Sequence, residues 1–244
     1  VGGDEPGEVG AEAAAQIAAG LTAVKINASG RVAALPPPAQ IDAIVRRVAA
    51  VREAIGDGAD FAVDFHGRIT VPTARRLIPL LEPYRPLFVE EPVLPEHTHR
   101  LGDVVASTVT PIACGERLYS RADFLPALQA GVSVVQPDLS HAGGISEVRR
   151  IASLAETYGA LFAPHCPLGP LSLAASLQVA FATPNFLIQE QSIGIHYNTG
   201  ADVLDYLADR SPFAFVDGSI ERWDAPGLGI EIDEDEVRRA AEVG

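Results

Sequence analysis

Six times a short apolar run closes on an acidic or histidine side chain: FAVDFH at Asp64 and His66, LFVE at Glu90, PIACGE at Glu116, VVQPD at Asp138, LFAPH at His165 and LIQE at Glu190. From Asp64 onward these ends lie 26, 26, 22, 27 and 25 residues apart. A strand, a helical return and the next strand need about that much chain, so the interval reads as a repeating βα unit. Each unit then delivers an ionisable group to the same end of a parallel sheet. If the sheet closes into a (β/α) barrel, the C-terminal ends of its strands converge, and that face is where barrel chemistry sits. Five acids and two histidines gathered at one point are costly to keep unless they hold a metal and move protons.

The 244 residues, 48% apolar, suffice for one large core, and a single barrel of roughly 250 residues is an ordinary size. Strands are expected at 21–27, 61–66, 87–91, 111–115, 132–137, 160–164 and 186–190. Helices are expected at 11–20, 41–55, 73–82, 98–107, 121–130, 145–158, 170–182 and 200–208. Seven strands fall one short of a (β/α)8 TIM-type barrel, and the missing first strand is expected to run into Val1. The catalytic barrel is assigned to 1–208. The segment 209–244 follows no βα pattern and is expected to pack beside the barrel or on a capping domain. The loop 28–40, with Pro36-Pro37-Pro38, is long enough to form a wall of the site.

Charge narrows the partners. Acids outnumber bases 32 to 18, for a net charge of −14, and the bases form no stripe, which argues against nucleic acid. No run of about 18 uncharged apolar residues is present, so no membrane span is expected. No signal peptide is visible at Val1, and Cys114 and Cys166 read as reduced thiols, which together point to the cytoplasm. Lys25 is the only lysine among the 18 bases. It shares a strand face with Asn27, as Asp64 does with His66, because side chains alternate along a strand. Lys25 is therefore either a surface group at a strand end or an inward one. Of Glu90 and Glu91 only one can point inward, and Glu90 is the choice.

Asp64, Glu90 and Glu116 end three consecutive strands. Three carboxylates with water and substrate make the oxygen shell that Mg²⁺ prefers. Zinc is less suited, although Cys114, two residues from Glu116, leaves thiolate ligation open. Asp138 and His165 end adjacent strands, so the carboxylate can hold the imidazole in one tautomer and raise its basicity. His97 and His99 read as surface groups, whereas His141 and Arg117 can border the pocket. Glu190, on the last strand, lies opposite the metal ligands.

These residues resemble the mandelate racemase subgroup of the enolase superfamily. The likeness runs through VDFHGR (63–68), EPYRPLFVEEPV (82–93), GERLYSR (115–121), QPDLSHAGGI (136–145), APHCPLGP (163–170), QEQSIGIHYN (189–198) and PGLGIEID (226–233), and it is strongest to the acid-sugar dehydratases of that subgroup. It implies a Mg²⁺-dependent hydro-lyase acting on an aldonic acid, with D-galactonate the acid implied and a 2-keto-3-deoxy sugar acid the product. In that scheme His165, oriented by Asp138, takes the C2 proton. His66 protonates the departing 3-hydroxyl, and a protonated Glu190 hydrogen-bonds the developing oxyanion. Lys25, Asn27, Arg117 and His141 face the substrate, and a homo-oligomer is expected. Asn27 stands where racemase relatives carry a second lysine. The N-terminal capping domain of such relatives has no counterpart in this sequence. Another acid-sugar dehydratase, an epimerase, or an idle sugar-acid-binding barrel would be built from the same parts. The acid at His66 favours elimination.

Overall fold

The computed structural model describes residues 1–2, 5–192 and 203–242. Six parallel strands form one sheet whose order is the chain order: β1 (Ala23–Asn27), β2 (Asp60–Asp64), β3 (Val89–Glu90), β4 (Ile112–Cys114), β5 (Val134–Val135) and β6 (Leu161–Phe162). Helices α1 (Pro6–Ala18), α2 (Pro38–Ile55), α3 (Val71–Leu77), α4 (Leu101–Val105), α5 (Arg121–Gln129), α6 (Gly144–Thr157) and α7 (Pro170–Phe181) precede, connect or follow them. Local sequence sets several ends. Pro38 opens α2 with its φ already helical, and Gly56, at φ 66°, closes it. The Thr70 side chain accepts the Thr73 N–H at the start of α3. Prolines also shorten what periodicity alone would extend: Pro79 and Pro83 turn the expected helix 73–82 into α3 followed by two 3₁₀ turns, and Pro95 opens 3₁₀ rather than α-helix before α4.

The two faces of the sheet bury different things. Val24, Ile26, Phe61, Val63, Val89, Ile112, Val135 and Phe162 belong to the large core that also holds Ile41, Ile44, Val48, Leu77, Phe124 and Ile151 from the helices. The alternate residues Ala62, Ala113, Val134 and Ala163, with Phe88, form a separate small cluster inside. Alanines there leave volume unfilled. A cavity of about 980 Å³ runs from the strand ends past Ala62, Phe88 and Ala163 towards Phe186.

The seventh expected strand, 186–190, is reduced to a single parallel bridge between Phe162 and Phe186. There the Phe162 N–H donates to the Asn185 carbonyl and the Leu187 N–H donates to the Phe162 carbonyl, each at 2.8 Å. Beyond Leu187 the link passes to a side chain, because Glu190 Oε2 accepts the Cys166 N–H at 2.8 Å. The amino group of Val1 donates to the Lys25 carbonyl at 2.9 Å, on the edge of β1 away from β2. Of the helix expected at 200–208, residues 200–202 lie outside the described residues, as do 193–198 of the QEQSIGIHYN motif, and Val203–Tyr206 is a 3₁₀ turn.

After this turn the chain packs on α7. Leu204, Leu207 and Phe213 are buried with Cys166, Leu173 and Leu177, and Trp223, Ile230 and Ile232 cover them. The segment contains an antiparallel hairpin, β7 (Phe215–Val216) and β8 (Ser219–Ile220), and a last helix, α8 (Glu234–Glu242). Asp217-Gly218 makes the hairpin turn with both φ angles positive, 50° and 71°. A Cβ at Gly218 would collide with Thr22, so the turn lies against the entry to β1.

Candidate active site

Register puts Asn27 beside Asp64, and Asp64 beside Glu90, across β1, β2 and β3. One row of the inner sheet face therefore ends in three polar groups. Glu116 follows β4 by two residues through Gly115, whose φ of 148° and 2.8 Å approach of a notional Cβ to the Gln136 backbone admit no side chain. Asp138 and His165 follow β5 and β6, and Glu190 approaches from beside β6.

Two aspartates are used in the same way. Asp64 Oδ1 accepts the His66 N–H at 2.7 Å, bending the chain two residues on, while Oδ2 lies 2.8 Å from His66 Nδ1. Asp138 Oδ1 accepts the Ser140 N–H at 2.7 Å, and Oδ2 bonds His165 Nδ1 at 2.8 Å. Each aspartate fixes a turn with one oxygen and an imidazole with the other. The two pairs differ in alignment: His66 Nδ1 is buried at ion-pair distance without hydrogen-bond geometry, whereas His165 is fully aligned. His66, at φ 49°, is also held in the left-handed region. The Asp64 carboxylate beside the ring raises the His66 pKa. Burial works against His165, but Asp138 and Glu190 hold its pKa above the ordinary range. Burial likewise opposes ionisation of Asp64 and Asp138, yet their imidazole partners hold both below the usual carboxylate range.

Glu116 stands between the imidazoles. Its Oε2 is 3.2 Å from His165 Nε2, and ligand atoms of Asp64, His66 and Glu116 lie within 4.8 Å of one another. Glu90, fully buried, is turned elsewhere: Oε1 accepts from Lys25 Nζ at 2.7 Å and Oε2 from Gln136 Nε2 at 2.7 Å. Lys25 points inward and also meets Glu190 at 2.8 Å. Burial opposes its charge, but Glu190, Glu90 and Asp64 raise the Lys25 pKa well above the ordinary value. Burial alone would push Glu190 up; Lys25 and His165 instead hold it low and ionised. Burial pushes Glu90 up to about 7 against the pull of Lys25.

Asn27, Asp64, His66, Glu116, His165 and Glu190 all line the cavity. Arg117 and His141 do not. Arg117 Nη2 is 3.1 Å from Glu116 Oε1, and the His141 ring lies 3.4 Å from the Glu116 carbonyl and beside Tyr119. Two groups escaped the sequence reading. Gln136 is in phase with Asp138 on its strand, a signal that was present, and it caps Glu90. Glu91 occupies an outward position yet is only 3% exposed, accepts the Gly115 N–H at 3.0 Å, and is pushed by burial up to about 7.

A parallel βα sheet whose C-terminal rim gathers buried carboxylates around two aspartate-held imidazoles makes this a (β/α)-barrel domain with its ionisable groups collected at one end. Residues 8–236 match the Enolase C-terminal domain-like family, and the chain belongs to it. It is 51% identical over 243 residues to a D-galactonate dehydratase of Xanthomonas oryzae pv. oryzae (strain PXO99A), covering 99% of this chain and 64% of that protein. A D-galactonate dehydratase of Variovorax paradoxus (strain S110) is 48% identical over 242 residues, 99% of this chain and 63% of the relative. The crystal structure of a mandelate racemase/muconate lactonizing enzyme from Jannaschia sp. CCS1 superposes with a TM-score of 0.88 at 36% identity, over 97% of this chain and 60% of that one. The chain thus spans a little under two thirds of the length of the relatives it matches. Among the described residues no helix is long and apolar enough to cross a membrane.

Proposed function

We propose that this barrel is the catalytic part of a cytoplasmic sugar-acid hydro-lyase that converts D-galactonate to its 2-keto-3-deoxy acid and water. The observation that carries the reading is the pair of imidazoles, each seated on its own aspartate, on either side of Glu116. Elimination of water across C2 and C3 needs one group to take a proton and another to give one. His165 takes the C2 proton on Nε2, since its Nδ1–H is committed to Asp138. The C2–H electron pair is first delocalised onto the adjoining carboxylate, and it becomes the C2–C3 double bond when the C3–O bond breaks in a second step. His66, whose protonated form Asp64 favours, donates its proton to the leaving hydroxyl, and the enol so formed tautomerises to the 2-keto acid. Lys25 offers its ammonium to the substrate carboxylate and Glu190 holds that ammonium in place. Asn27, in the same row as Asp64, donates to a sugar hydroxyl.

The donor set fits a hard divalent ion. Asp64 and Glu116 converge, Glu90 is the register neighbour of Asp64, and carboxylate oxygen suits Mg²⁺ better than the His66 nitrogen, whose pKa Asp64 raises. Asp64, Glu90 and Glu116 would hold it, Glu90 becoming available as Lys25 moves to the substrate. When bound, the ion supplies positive charge opposite the carboxylate oxygen that gains charge as C2 is deprotonated. The test is incubation of the chain with Mg²⁺ and a panel of aldonic acids, with 2-keto acid as the readout. Product from D-galactonate and none after chelation is expected. Failure with every aldonic acid overturns the dehydratase reading, and C2 epimer without keto acid would make the barrel an epimerase.

A further inference from the structure

We propose that Glu91 and Arg117 are positioning residues that fix the rotation of the Glu116 carboxylate, so that one of its oxygens is committed to protein and the other to the reacting site. This rests on Glu116 being a metal ligand, as argued above, and concerns what orients it. Arg117 Nη2 sits 3.1 Å from Glu116 Oε1, and Glu116 Oε2 faces His165 Nε2 at 3.2 Å. The guanidinium thus takes one oxygen and turns the other inward. A planar fork can do this because its nitrogens are rigidly related; an ammonium on a flexible stem cannot.

The other arm of Arg117 is fixed by burial. Nη1 has no solvent and no hydrogen bond, and its nearest anion is Glu91 Oε2 at 3.6 Å. Glu91 is itself immobile: its Oε1 accepts the Gly115 N–H at 3.0 Å, and that residue's neighbour in the chain is Glu116. Glu91 therefore bonds the backbone just before Glu116 with one oxygen and sets the other as the facing charge, 3.6 Å away, for the guanidinium that pairs with the Glu116 side chain. Room for the arm comes from Gly67, where a Cβ would stand 2.9 Å from Nη1. Arg117 does not line the substrate cavity, which removes the simplest alternative, a direct contact with substrate.

The experiment measures Mn²⁺ affinity of the full chain by calorimetry, without substrate, for wild type, Arg117→Lys, Glu91→Gln and the double variant. Arg117→Lys keeps the charge, so electrostatic relief of the bound cation is not mixed with loss of orientation. Groups that orient metal ligands typically contribute 10–100-fold in affinity, so each single variant is expected to weaken Mn²⁺ binding at least about tenfold. The double variant is expected to be no weaker than the worse single one, because both act through the same carboxylate. Unchanged Mn²⁺ affinity in folded Arg117→Lys overturns the proposal, as do losses that add. If Glu91→Gln does not fold, Gly67→Ala, which crowds Nη1 and leaves both charges, replaces it with the same expectation. A wild type that binds no Mn²⁺ defeats the metal reading instead. A wild type that binds Mn²⁺ and dehydrates no sugar acid defeats only the substrate assignment. At saturating metal, Arg117→Lys should lower kcat while KM stays within about twofold; a raised KM alone would mark Arg117 as a substrate contact.

Discussion

Lys25→Met deletes one ammonium and keeps the stem, and its cost follows from the charges left behind. Lys25 lies 2.7 Å from Glu90 and 2.8 Å from Glu190, and its side chain is 22% exposed. Without it, burial pushes Glu190 upward from its ordinary 4.5 with His165 and the Cys166 N–H in opposition. If Glu190 must then take a proton at pH 7, the fold forgoes about 2.5 pH units, or about 3.4 kcal/mol. At pH 5 the same protonation costs about 0.7 kcal/mol. The sign is fixed by which state binds more protons. In wild type Glu190 is depressed below 4.5, so its contribution is present above that pH and lost as pH falls through the folded value. In the variant its folded pKa is raised, so stability is lost as pH rises through the window above 4.5. The gap between the two proteins therefore widens from pH 5 to pH 7. At about 2–4 °C per kcal/mol for a chain of this size, Tm should drop by about 7–14 °C at pH 7 and by about 1–3 °C at pH 5. Thermal unfolding followed by circular dichroism in chelator measures it. A Tm deficit that is the same at both pH values, or absent, would refute the argument that Lys25 neutralises buried carboxylates.

His165→Asn is expected to abolish solvent exchange of the C2 proton together with dehydration, whereas His66→Asn should stop dehydration and retain exchange, because the leaving-group acid is not needed to deprotonate C2; deuterium incorporation read by mass spectrometry separates them, and equal turnover in both variants rules out the assignment. Metal binding should release protons, since Glu90 and Glu91 are both pushed up to about 7 and a divalent ion favours ionised carboxylates. Calorimetry of Mn²⁺ binding at pH 7 in buffers of different ionisation enthalpy would show it, and a binding enthalpy independent of buffer contradicts it.

Strand positions and the row of groups at their ends were legible because a parallel βα unit has a fixed length and a fixed polarity. Asp64, Glu116, Asp138 and His165 needed only those two facts. The pairing of Lys25 with Glu90 spans 65 residues of sequence and appears only when β1, β2 and β3 lie side by side. Alternation turned Glu90 inward, but it carries no information on what covers the outward Glu91. A carboxylate on the helix-facing side of a strand is buried only if a distant donor meets it, and here the Gly115 N–H and Arg117 come from the next βα unit. The break at 186–190 was not legible either. Its residues are as apolar as those of β6, and what ends the ladder is the reach of Glu190 to a backbone N–H after one residue of pairing.

The site's charge balance ties these observations together. Six carboxylates, from Asp64, Glu90, Glu91, Glu116, Asp138 and Glu190, face one ammonium and one guanidinium, and both imidazoles are driven towards their charged forms. Even with both imidazoles protonated, these carboxylates outnumber these cations by two. Buried charge of that kind is not tolerated unneutralised. Two protons can close the balance, and the acids pushed up to about 7 are the pair best suited to carry them. One divalent cation closes it equally well. Protons and a metal would thus be interchangeable counter-charges in the same fold. In the proposed reaction, the groups that would move protons lie in the same electrostatic unit as those that would hold the ion.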